Sequence, residues 1–342
     1  MNKFPIDVSS SGAILLGGDV CCDGFHRECR ARVQTHVHLD HMDDFETSKG
    51  YQDIYLTAPT KLLLCAEFNA DLPYRDNIIT VPLNESRKVN GSTIELVSSQ
   101  HMLGSVQSKV TLADGRRVGY SGDFQWPLDH PIQVDAIVVD STYGSPESRR
   151  SYSQAEVESR FLQLVSQKIR CGPVHIKAFR GTIQRALQVL CGNVNVPMIG
   201  TPKFRAEAAV YQECGYAIDP VVSTKSPEGK AIIRDGRYIR FYGKGDDLPV
   251  DGVQGTTMTL SAYMSRPDDP VLEYTDRSYR VAMSNHADFD GTLEYVRATG
   301  AKFVVADNSR GGHAIELALA LRERLGIDAV PSSGEGSKEW GE

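Results

Sequence analysis

The sequence has no long hydrophobic run and no apolar segment near its start. No stretch approaches the roughly 20 apolar residues that a membrane-spanning helix requires. The opening residues MNKFPIDVSSSG contain one lysine and no apolar core. We therefore expect no secretory signal and no membrane partner. Internal repeats and low-complexity linkers are also missing, so two domains, if present, are interleaved along the chain rather than strung out.

Cysteine is scarce and its pattern is not that of a disulfide framework. The 342 residues include 7 cysteines, an odd number scattered along the chain. We expect free thiols in a reducing compartment, and so a cytoplasmic protein. Cys21, Cys22 and Cys29 lie close together and leave a structural zinc site as an alternative. They contain no clean CxxC pair, so we favour core or free thiols.

The chain also lacks an excess of positive charge. Its 37 Lys and Arg residues against 44 Asp and Glu give a net charge of −7. This excludes a histone-like basic coat, but not nucleic-acid binding, because local charge matters more than the sum. Residues 146–270 hold 17 basic and 13 acidic residues. This middle segment is therefore the part that is suited to face a polyanion.

Strand and helix patterns predict an α/β fold of one large domain or two intimate ones. Short strands dominate the first 145 residues, with one helix over Thr60 to Phe68 that Thr60 would cap. Ser153 and Glu156 then form the capping box of an amphipathic helix. Strand–helix alternation follows and predicts a parallel layer. The predicted elements include strands Asp135 to Val139, Val174 to Ala178 and Phe303 to Ala306, and helices Thr182 to Leu190, Phe289 to Thr299 and Ala314 to Leu325.

Three imidazoles and a carboxylate lie within six residues, namely His36, His38, Asp40 and His41. On an extended segment, His36 and His38 point to one face. After a turn into a helix, Asp40 and His41 point at a neighbouring spot. This arrangement suits two adjacent metal ions, one held by each pair. Imidazole and carboxylate ligands suit zinc, and also manganese or iron.

Two further ligands are expected at strand ends. His101 follows one strand in the segment SQHMLGS, and Asp123 ends another in YSGDF. A carboxylate can bridge two cations through its two oxygens, which suits Asp123. Alone, either residue would be weak support for a metal site, but behind the histidine cluster both become ligand candidates.

Further motifs follow the histidine cluster along the chain. They are His101-Met102-Leu103-Gly104-Ser105, Ser121-Gly122-Asp123, Asp140-Ser141-Thr142-Tyr143-Gly144, Ala178-Phe179-Arg180-Gly181 and Ser284-Asn285-His286-Ala287-Asp288. Together they resemble the metallo-β-lactamase fold and, more narrowly, its β-CASP nuclease branch. The resemblance implies an αββα sandwich with the metal site at one edge and an inserted α/β cap. It places a discontinuous hydrolase domain at residues 1–145 and 276–342, and a β-CASP cap domain at residues 146–275.

The resemblance implies that six side chains hold two metal ions, expected to be zinc, with manganese as an alternative. The ligands of the first ion would be His36, His38, His101 and Asp123. The ligands of the second ion would be Asp40, His41 and the bridging Asp123. A metal-bound hydroxide would be the nucleophile.

The same resemblance supplies the catalytic candidates His286, Asp140 and Asp40. His286 would protonate the leaving oxygen, and Asp140 would hydrogen-bond and orient it. Asp19, in the Gly17-Gly18-Asp19 turn, matches the first aspartate of the family and would support the metal-binding loop from behind.

One departure from the family pattern bears on the second ion. The RNA-cleaving members close with a VHG-type motif whose histidine completes the second site, but the matching stretch here is FVVADN. Asp307 or His313 are the candidates to replace that histidine. The DNA-processing Artemis-like branch also lacks it, whereas the HxLGS and cap motifs resemble RNA-processing and ligase-associated exonuclease branches. We favour DNA as the substrate and keep RNA as the alternative.

The resemblance implies that the cap binds substrate. Lys177, Arg180 and Arg185 bracket a predicted helix N-terminus, where backbone N–H groups favour an anion, so we expect them to contact phosphates. The expected partner is nucleic acid, with a homodimer or a repair or RNA-processing complex as further candidates.

The sequence therefore predicts a metal-dependent hydrolase that cleaves phosphodiester bonds as an exo- or endonuclease. One alternative is a small-ester hydrolase of the same fold, although such members lack the inserted domain. The other is a non-catalytic scaffold that binds nucleic acid or a partner protein. Scaffold paralogues typically lose the HxHxDH ligands, and this sequence keeps them.

Overall fold

The computed structural model describes residues 4–67, 71–249, 255–263 and 266–332. The predicted helix end at Phe68 and residues 333–342 of the predicted hydrolase domain lie outside this part. The described chain divides into two compact units. Unit 1 contains residues 4–65, 71–149 and 286–332, and unit 2 contains residues 66–67, 150–249, 255–263 and 266–285.

The first sheet of unit 1 has six strands in sequence order. They are β1 (Ile6–Val8), β2 (Ile14–Leu16), β3 (Val20–Cys22), β4 (Ala31–Val33), β5 (Asp53–Leu56) and β6 (Ile78–Thr80). Strands β1 to β3 pair antiparallel, and β3 to β6 pair parallel. The carboxyl ends of β3 and β4 therefore meet at one edge, and the loops that follow them start side by side.

Two helices connect the strands of this sheet, α1 (Phe45–Ser48) and α2 (Ala58–Glu67). Helix α2 begins two residues before the predicted cap Thr60, which lies inside the helix and is buried. Pro59 stands in its first turn, where the missing N–H costs nothing and the fixed φ favours a helix start.

The second sheet of unit 1 has seven strands. They are β7 (Ser86–Val89), β8 (Ser92–Ser98), β9 (Val106–Thr111), β10 (Arg117–Tyr120), β11 (Ala136–Val139), β19 (Phe303–Ala306) and β20 (Asp328–Pro331). Their order is β20-β19-β11-β10-β9-β8-β7, and β10, β11, β19 and β20 run parallel. The residues that follow β10, β11 and β19 therefore meet at one edge of the sheet.

The alternation of side chains in β11 builds two cores at once. Val138 belongs to the core that the two sheets share, together with residues such as Leu16 and Val33. Ile137 and Val139 belong to a second core on the opposite face. Helices α7 (Phe289–Thr299) and α8 (Ala314–Leu325) cover that face. A strand buried on both faces reads as a continuous apolar run, which is the pattern of this strand.

Unit 2 is a second α/β layer. Its strands are β12 (Val174–Ala178), β13 (Met198–Gly200), β14 (Val221–Ser223), β15 (Ile239–Tyr242), β16 (Thr256–Leu260), β17 (Val271–Thr275) and β18 (Ser278–Val281). The order is β14-β13-β15-β12-β16-β18-β17, with antiparallel pairing only between β17 and β18 among the pairs that the structure describes. Its helices are α3 (Gln154–Lys168), α4 (Thr182–Leu190), α5 (Pro202–Glu213) and α6 (Pro227–Asp235).

The predicted α/β class is confirmed by these mixed sheets and helices. The capping box of α3 is present, with Ser153 and Glu156 satisfying each other's backbone N–H groups. All seven cysteines are free, and Cys21, Cys22 and Cys29 are buried, as the sequence predicts. The arrangement as a metallo-β-lactamase sandwich with an inserted cap stays a prediction. Within the described part of the chain, no helix combines the length and the apolar character needed to cross a membrane.

Candidate metal centre

The HxHxDH segment leaves β4 as an extended strand and then turns. His38 has φ −68° and ψ 145°, and a short 3-10 turn covers Leu39–His41. The rings of His36 and His38 lie 4.6 Å apart, and those of His36 and His41 lie 4.1 Å apart. The change from extended chain to turn therefore brings three imidazoles into one cluster.

Asp123 lies at the centre of this cluster. Its Oδ2 is 3.5 Å from His36 Nε2, 3.6 Å from His101 Nε2 and 4.0 Å from His38 Nδ1. One ligand atom from each of these four residues lies within 4.8 Å of the others, a spacing that suits one metal ion. The second oxygen, Oδ1, lies 3.2 Å from His41 Nε2. The carboxylate thus faces His36, His38 and His101 with one oxygen, which His286 also approaches, and His41 with the other.

Backbone geometry at Gly122 brings Asp123 to this position. Gly122 has φ +55°, a left-handed conformation that favours glycine. A Cβ there would lie 2.7 Å from the Val106 carbonyl oxygen and 3.3 Å from Cβ of Thr35. The SGD motif therefore requires its glycine so that the chain can pass between β9 and the start of the histidine segment.

Asp40 lies at the outer side of the cluster. Its Oδ2 is 3.7 Å from His41 Nε2, and its side chain is 41% exposed. It belongs to none of the described groups whose ligand atoms all lie within 4.8 Å of one another. The predicted second set is therefore more open than the first.

His286 and Asp140 lie against the same carboxylate. His286 Nδ1 is 3.4 Å from Asp140 Oδ2, and His286 Nε2 is 3.7 Å from Asp123 Oδ2. Thr142 donates from its backbone N–H and its hydroxyl to Asp140 Oδ1, at 2.9 and 2.6 Å. These bonds fix the Asp140 carboxylate so that its other oxygen faces the imidazole.

Burial and charge set the protonation of the cluster. Burial lowers the pKa of His36 well below its ordinary value, so this imidazole is neutral near pH 7. Burial opposes protonation of His41, but the Asp123 and Asp40 carboxylates outweigh it and raise the pKa of His41. Burial likewise opposes ionisation of Asp123, but His41, His286 and His36 hold the pKa of Asp123 well below its usual range.

Two buried nitrogen atoms show that the residues fit a metal ion. His36 Nε2 and His41 Nε2 are inaccessible to solvent and make no hydrogen bond with the described chain. Buried polar atoms without a partner are rare in proteins and call for an explanation. His36 Nε2 lies 3.5 Å from Asp123 Oδ2 and His41 Nε2 lies 3.2 Å from Asp123 Oδ1, so a cation on each side of the carboxylate would give both nitrogens a ligand role.

Asp23 contacts the cluster from behind, whereas Asp19, the residue predicted for this supporting position, contacts Asn90. Asp23 Oδ2 lies 2.7 Å from His41 Nδ1, and both of its oxygens accept hydrogen bonds from Thr35. Asp19 lies at the other end of β3, where its carboxylate accepts a hydrogen bond from Asn90 at 3.5 Å. Because β3 and β4 run parallel, the residue after β3, not the one before it, meets the histidine segment. The strand-end rule that identified Asp123 would have identified Asp23.

Arg32 and Gln34 hold the backbone of the histidine segment, and sequence analysis missed both. Gln34 Nε2 donates to the carbonyls of His36 and His41, at 2.7 and 2.9 Å. Arg32 is fully buried and donates to the carbonyls of His41 and Asp43 and to Gln34 Oε1. A charged residue in the middle of a strand that reads Ala-Arg-Val was the available signal, because buried arginines are rare without partners.

Neither candidate for an additional second-ion ligand belongs to the cluster. Asp307 Oδ2 accepts a hydrogen bond from Arg310 at 2.8 Å, and its Oδ1 accepts two from Ser309. His313 is about half exposed, with Nδ1 at 3.6 Å from Glu316. None of the described groups that could hold a metal ion contains Asp307 or His313. The Asp307 carboxylate, which directly follows β19, is therefore already occupied by an ion pair with Arg310.

The side chains predicted to bind nucleic acid have partners inside unit 2. Arg180 is paired with Glu67 and with Glu207, the latter at 3.2 Å, and its side chain is 15% exposed. Arg185 is paired with Glu158, and Lys177 donates to the Asp246 carbonyl at 2.7 Å. Phosphate contacts by these three residues stay a prediction, and Arg180 is already paired with two carboxylates of the same unit.

Comparison with known proteins gives relatives of three kinds. No protein-family model matches the chain. The "Uncharacterized protein in lig 3'region" of Acidianus ambivalens is 38% identical over 120 residues, which are 34% of this chain and 85% of that protein. An "RNase J-like protein" of Methanocaldococcus jannaschii is 27% identical over 182 residues, 47% of this chain and 42% of the relative. "DNA cross-link repair protein SNM1" of Arabidopsis thaliana is 24% identical over 152 residues, 42% of this chain and 31% of the relative.

The last two relatives support the β-CASP resemblance at low identity, and the chain spans less than half of their length. Among solved structures, a protein of unknown function from Enterococcus faecalis V583 is similar with a TM-score of 0.63 and 14% identity. The match covers 91% of this chain and 82% of that one. At this identity the likeness is one of fold.

Proposed function

We propose, from the premise that this chain belongs to the same family as the Acidianus ambivalens protein, that it is a metal-dependent nuclease that hydrolyses phosphodiester bonds. The observation that carries the proposal is the position of Asp123, with one oxygen toward His36, His38 and His101 and the other toward His41. The names of the two distant relatives support nucleic acid as the substrate class. We favour DNA, because no histidine stands at the end of β19 and Asp307 is engaged with Arg310.

Six side chains would hold the ions. His36, His38, His101 and Asp123 suit the first ion. We assign Asp40, His41 and Asp123 to the second, with His41 Nε2 at 3.7 Å from Asp40 Oδ2 and 3.2 Å from Asp123 Oδ1. Imidazole and carboxylate ligands favour zinc, with manganese as the alternative. When bound, such a cation supplies a Lewis acid and lowers the pKa of water toward neutrality.

His286 is suited to give a proton to the leaving oxygen. Asp140, fixed by Thr142, faces Nδ1 and leaves Nε2 as the edge that points into the cluster. Burial opposes protonation of His286, but Asp123 and the hydrogen bond with Asp140 outweigh it and raise the pKa of His286. A general acid needs its proton at working pH, which this environment favours.

We infer that the two units have different roles, catalysis in unit 1 and substrate binding in unit 2. Every candidate ligand lies in unit 1, which supports a hydrolase domain built from both ends of the chain. Unit 1 resumes at His286, so residues 276–285 of the predicted hydrolase domain belong to unit 2. We assign residues 146–275 to a cap that contacts the substrate. We further propose that the nuclease works within a repair or RNA-processing complex.

Cleavage assays test the proposal. Labelled single-stranded DNA, double-stranded DNA and RNA are incubated with the metal-loaded protein and with its His38→Ala, Asp123→Ala and His286→Ala variants. We expect cleavage by the wild type, loss of both metal and activity in Asp123→Ala, and loss of turnover with retained metal in His286→Ala. His130→Ala is the matched control, because His130 is exposed and lies in none of the groups described.

The assay also separates the alternatives. Equal metal loss in His286→Ala and Asp123→Ala would contradict the proton-donor role. Cleavage that survives His38→Ala and His286→Ala together would overturn the nuclease assignment. Binding of nucleic acid without cleavage would favour a scaffold, and hydrolysis of small esters alone would favour a small-substrate hydrolase.

A further inference from the structure

Arg310 uses every donor that a guanidinium possesses. Its Nε donates to the Asp40 carbonyl at 3.2 Å. Its Nη1 donates to Asp307 Oδ2 at 2.8 Å and to Ser309 Oγ at 2.9 Å. Its Nη2 donates to the carbonyls of Gly12 and Asp23, at 3.0 and 2.9 Å. Five N–H groups meet five acceptors, so no donor is left for a substrate phosphate.

Three of these acceptors are main-chain carbonyls from separate parts of unit 1. Gly12 lies in the turn between β1 and β2, Asp23 directly follows β3, and Asp40 lies in the 3-10 turn of the histidine segment. The side chain of Asp23 contacts His41, and that of Asp40 lies 3.7 Å from it. One buried side chain therefore joins the two loops that place His41 and Asp40.

Asp307 holds the guanidinium in this orientation. Its Oδ1 accepts from the Ser309 N–H and hydroxyl at 2.8 and 2.7 Å, which leaves Oδ2 facing Arg310. Its own carbonyl accepts a hydrogen bond from Ser141 at 2.5 Å, next to Asp140. The two side chains are 9% and 4% exposed, so the ion pair is largely shielded from solvent.

We propose that Arg310 is a positioning residue that fixes the main chain at Asp23 and Asp40 and thereby sets the affinity of the Asp40–His41 side of the centre for a second divalent cation. The inference rests on the proposed metal centre and deepens it. Partners that orient ligands from behind typically change metal affinity by about 10–100-fold when they are removed. The first ion should depend much less on Arg310, because His101 and Asp123 reach the centre from loops that Arg310 does not bond and Gln34 holds the His36 carbonyl.

Lysine separates positioning from charge. Arg310→Lys keeps the positive charge beside Asp307 but cannot reproduce the planar fork that reaches three carbonyls. If charge were the contribution of Arg310, this variant would behave as the wild type. If orientation is its contribution, the second ion is lost although the charge remains.

The experiment is a Zn²⁺ titration of the full chain after removal of metal with a chelator. Binding is followed by calorimetry, and the bound ions are counted after dialysis. Co²⁺ is used in parallel, because its visible spectrum reports ligand geometry. The proteins are the wild type, Arg310→Lys, Asp307→Asn and, as a matched control, Arg75→Lys. The Arg75 side chain is 3% exposed and paired with Glu46 and Asp71 in the same unit, outside the cluster.

We expect the wild type and Arg75→Lys to bind one ion tightly and a second more weakly. In Arg310→Lys the first affinity should stay within about two-fold and the second should fall at least about ten-fold, with a changed Co²⁺ spectrum for the second ion only. Asp307→Asn should show the same loss in weaker form, and it decides the question if Arg310→Lys does not fold.

The contrary results are distinct. A second-ion affinity that is unchanged in both variants overturns the positioning role and leaves the metal centre standing. Equal weakening of both ions, with an unchanged circular dichroism spectrum, also overturns it, because the effect is then not directed to Asp40 and His41. A wild type that binds no Zn²⁺ overturns the proposed centre itself.

Discussion

At the scale of single residues, the Asp23 carboxylate makes three contacts, two with Thr35 and one with His41. Oδ1 accepts from the Thr35 N–H at 2.8 Å, and Oδ2 lies 2.5 Å from the Thr35 hydroxyl and 2.7 Å from His41 Nδ1. A proton on Nδ1 that is shared with Asp23 leaves the Nε2 lone pair of His41 free to bind a cation. Asp23 has φ +50°, a left-handed conformation that is uncommon outside glycine, so the loop accepts some strain to present this carboxylate.

The substitution Asp23→Asn tests this contact. The asparagine amide would place a donor against donors from Thr35 or His41, so we expect metal affinity and activity to fall by about 10–100-fold. Asp19→Asn is the matched control, because Asp19 stands at the opposite end of the same strand and contacts Asn90. Metal titration and cleavage rates check the outcome. A larger loss in Asp19→Asn than in Asp23→Asn would contradict the assignment.

The candidate ligands could be predicted from sequence because they are close in the chain or stand at strand ends within recognisable motifs. The supporting residues could not. Asp23 and Asp19 look alike in a sequence, and only the parallel register of β3 and β4 decides between them. The family resemblance makes Asp307, or His313 as the alternative, a candidate ligand, because FVVADN stands where the RNA-cleaving members have their histidine. Arg310, the partner of Asp307, turns out to reach it through a loop whose course no local pattern specifies.

At the scale of helices and strands, the sequence predicts an element correctly where its own residues and their immediate neighbours determine the backbone conformation. The capping box of α3, the glycine that ends α8 at Gly326, and the apolar run of β11 each specify an element with its nearest neighbours alone. The loop after β12 shows the limit of such reasoning. Arg180 precedes a helix N-terminus, which predicts an anion site, but Glu67 and Glu207 are distant in sequence and already balance its charge.

Arg180→Met should therefore destabilise unit 2 rather than weaken substrate binding alone. It leaves Glu67 and Glu207 without their arginine at sites that are 4% and 8% exposed. Breaking a buried ion pair in this way costs about 3 kcal/mol, which should appear as a lower urea midpoint. Arg205→Met, at an exposed position, should stay within about 0.5 kcal/mol of the wild type. If Arg180 contacts phosphate instead, stability is retained and the salt dependence of nucleic-acid binding falls by about one unit of slope.

At the scale of the whole molecule, the number of charged residues in a segment also fails to predict which of them are available to bind a substrate. Residues 146–270 carry 17 basic and 13 acidic residues, while the full chain has a net charge of −7. The count suggests a basic face, but Arg180, Arg185 and Lys203 are each paired with a carboxylate. A net count states how many charges a segment holds and not how many are available, because pairing depends on the tertiary fold.

The confinement of every candidate ligand to unit 1 predicts how metal stabilises the whole molecule. A ligand that binds only the folded state stabilises it by RT ln(1 + [L]/Kd), about 2.7 kcal/mol when the ligand is at 100 times Kd. Hydrogen exchange is measured on the Zn²⁺-bound protein and on the protein after chelation. The amides of unit 1 around His36, His101 and Asp123 should exchange up to about 100-fold more slowly in the Zn²⁺-bound protein than in the metal-free protein. Amides of β12 and α4 in unit 2 should exchange at unchanged rates, since no candidate ligand lies there. The His38→Ala variant should lose most of the protection that Zn²⁺ gives to unit 1, and the His130→Ala variant should keep it. Equal slowing of exchange in both units would contradict this prediction and show that the two units unfold as one cooperative body.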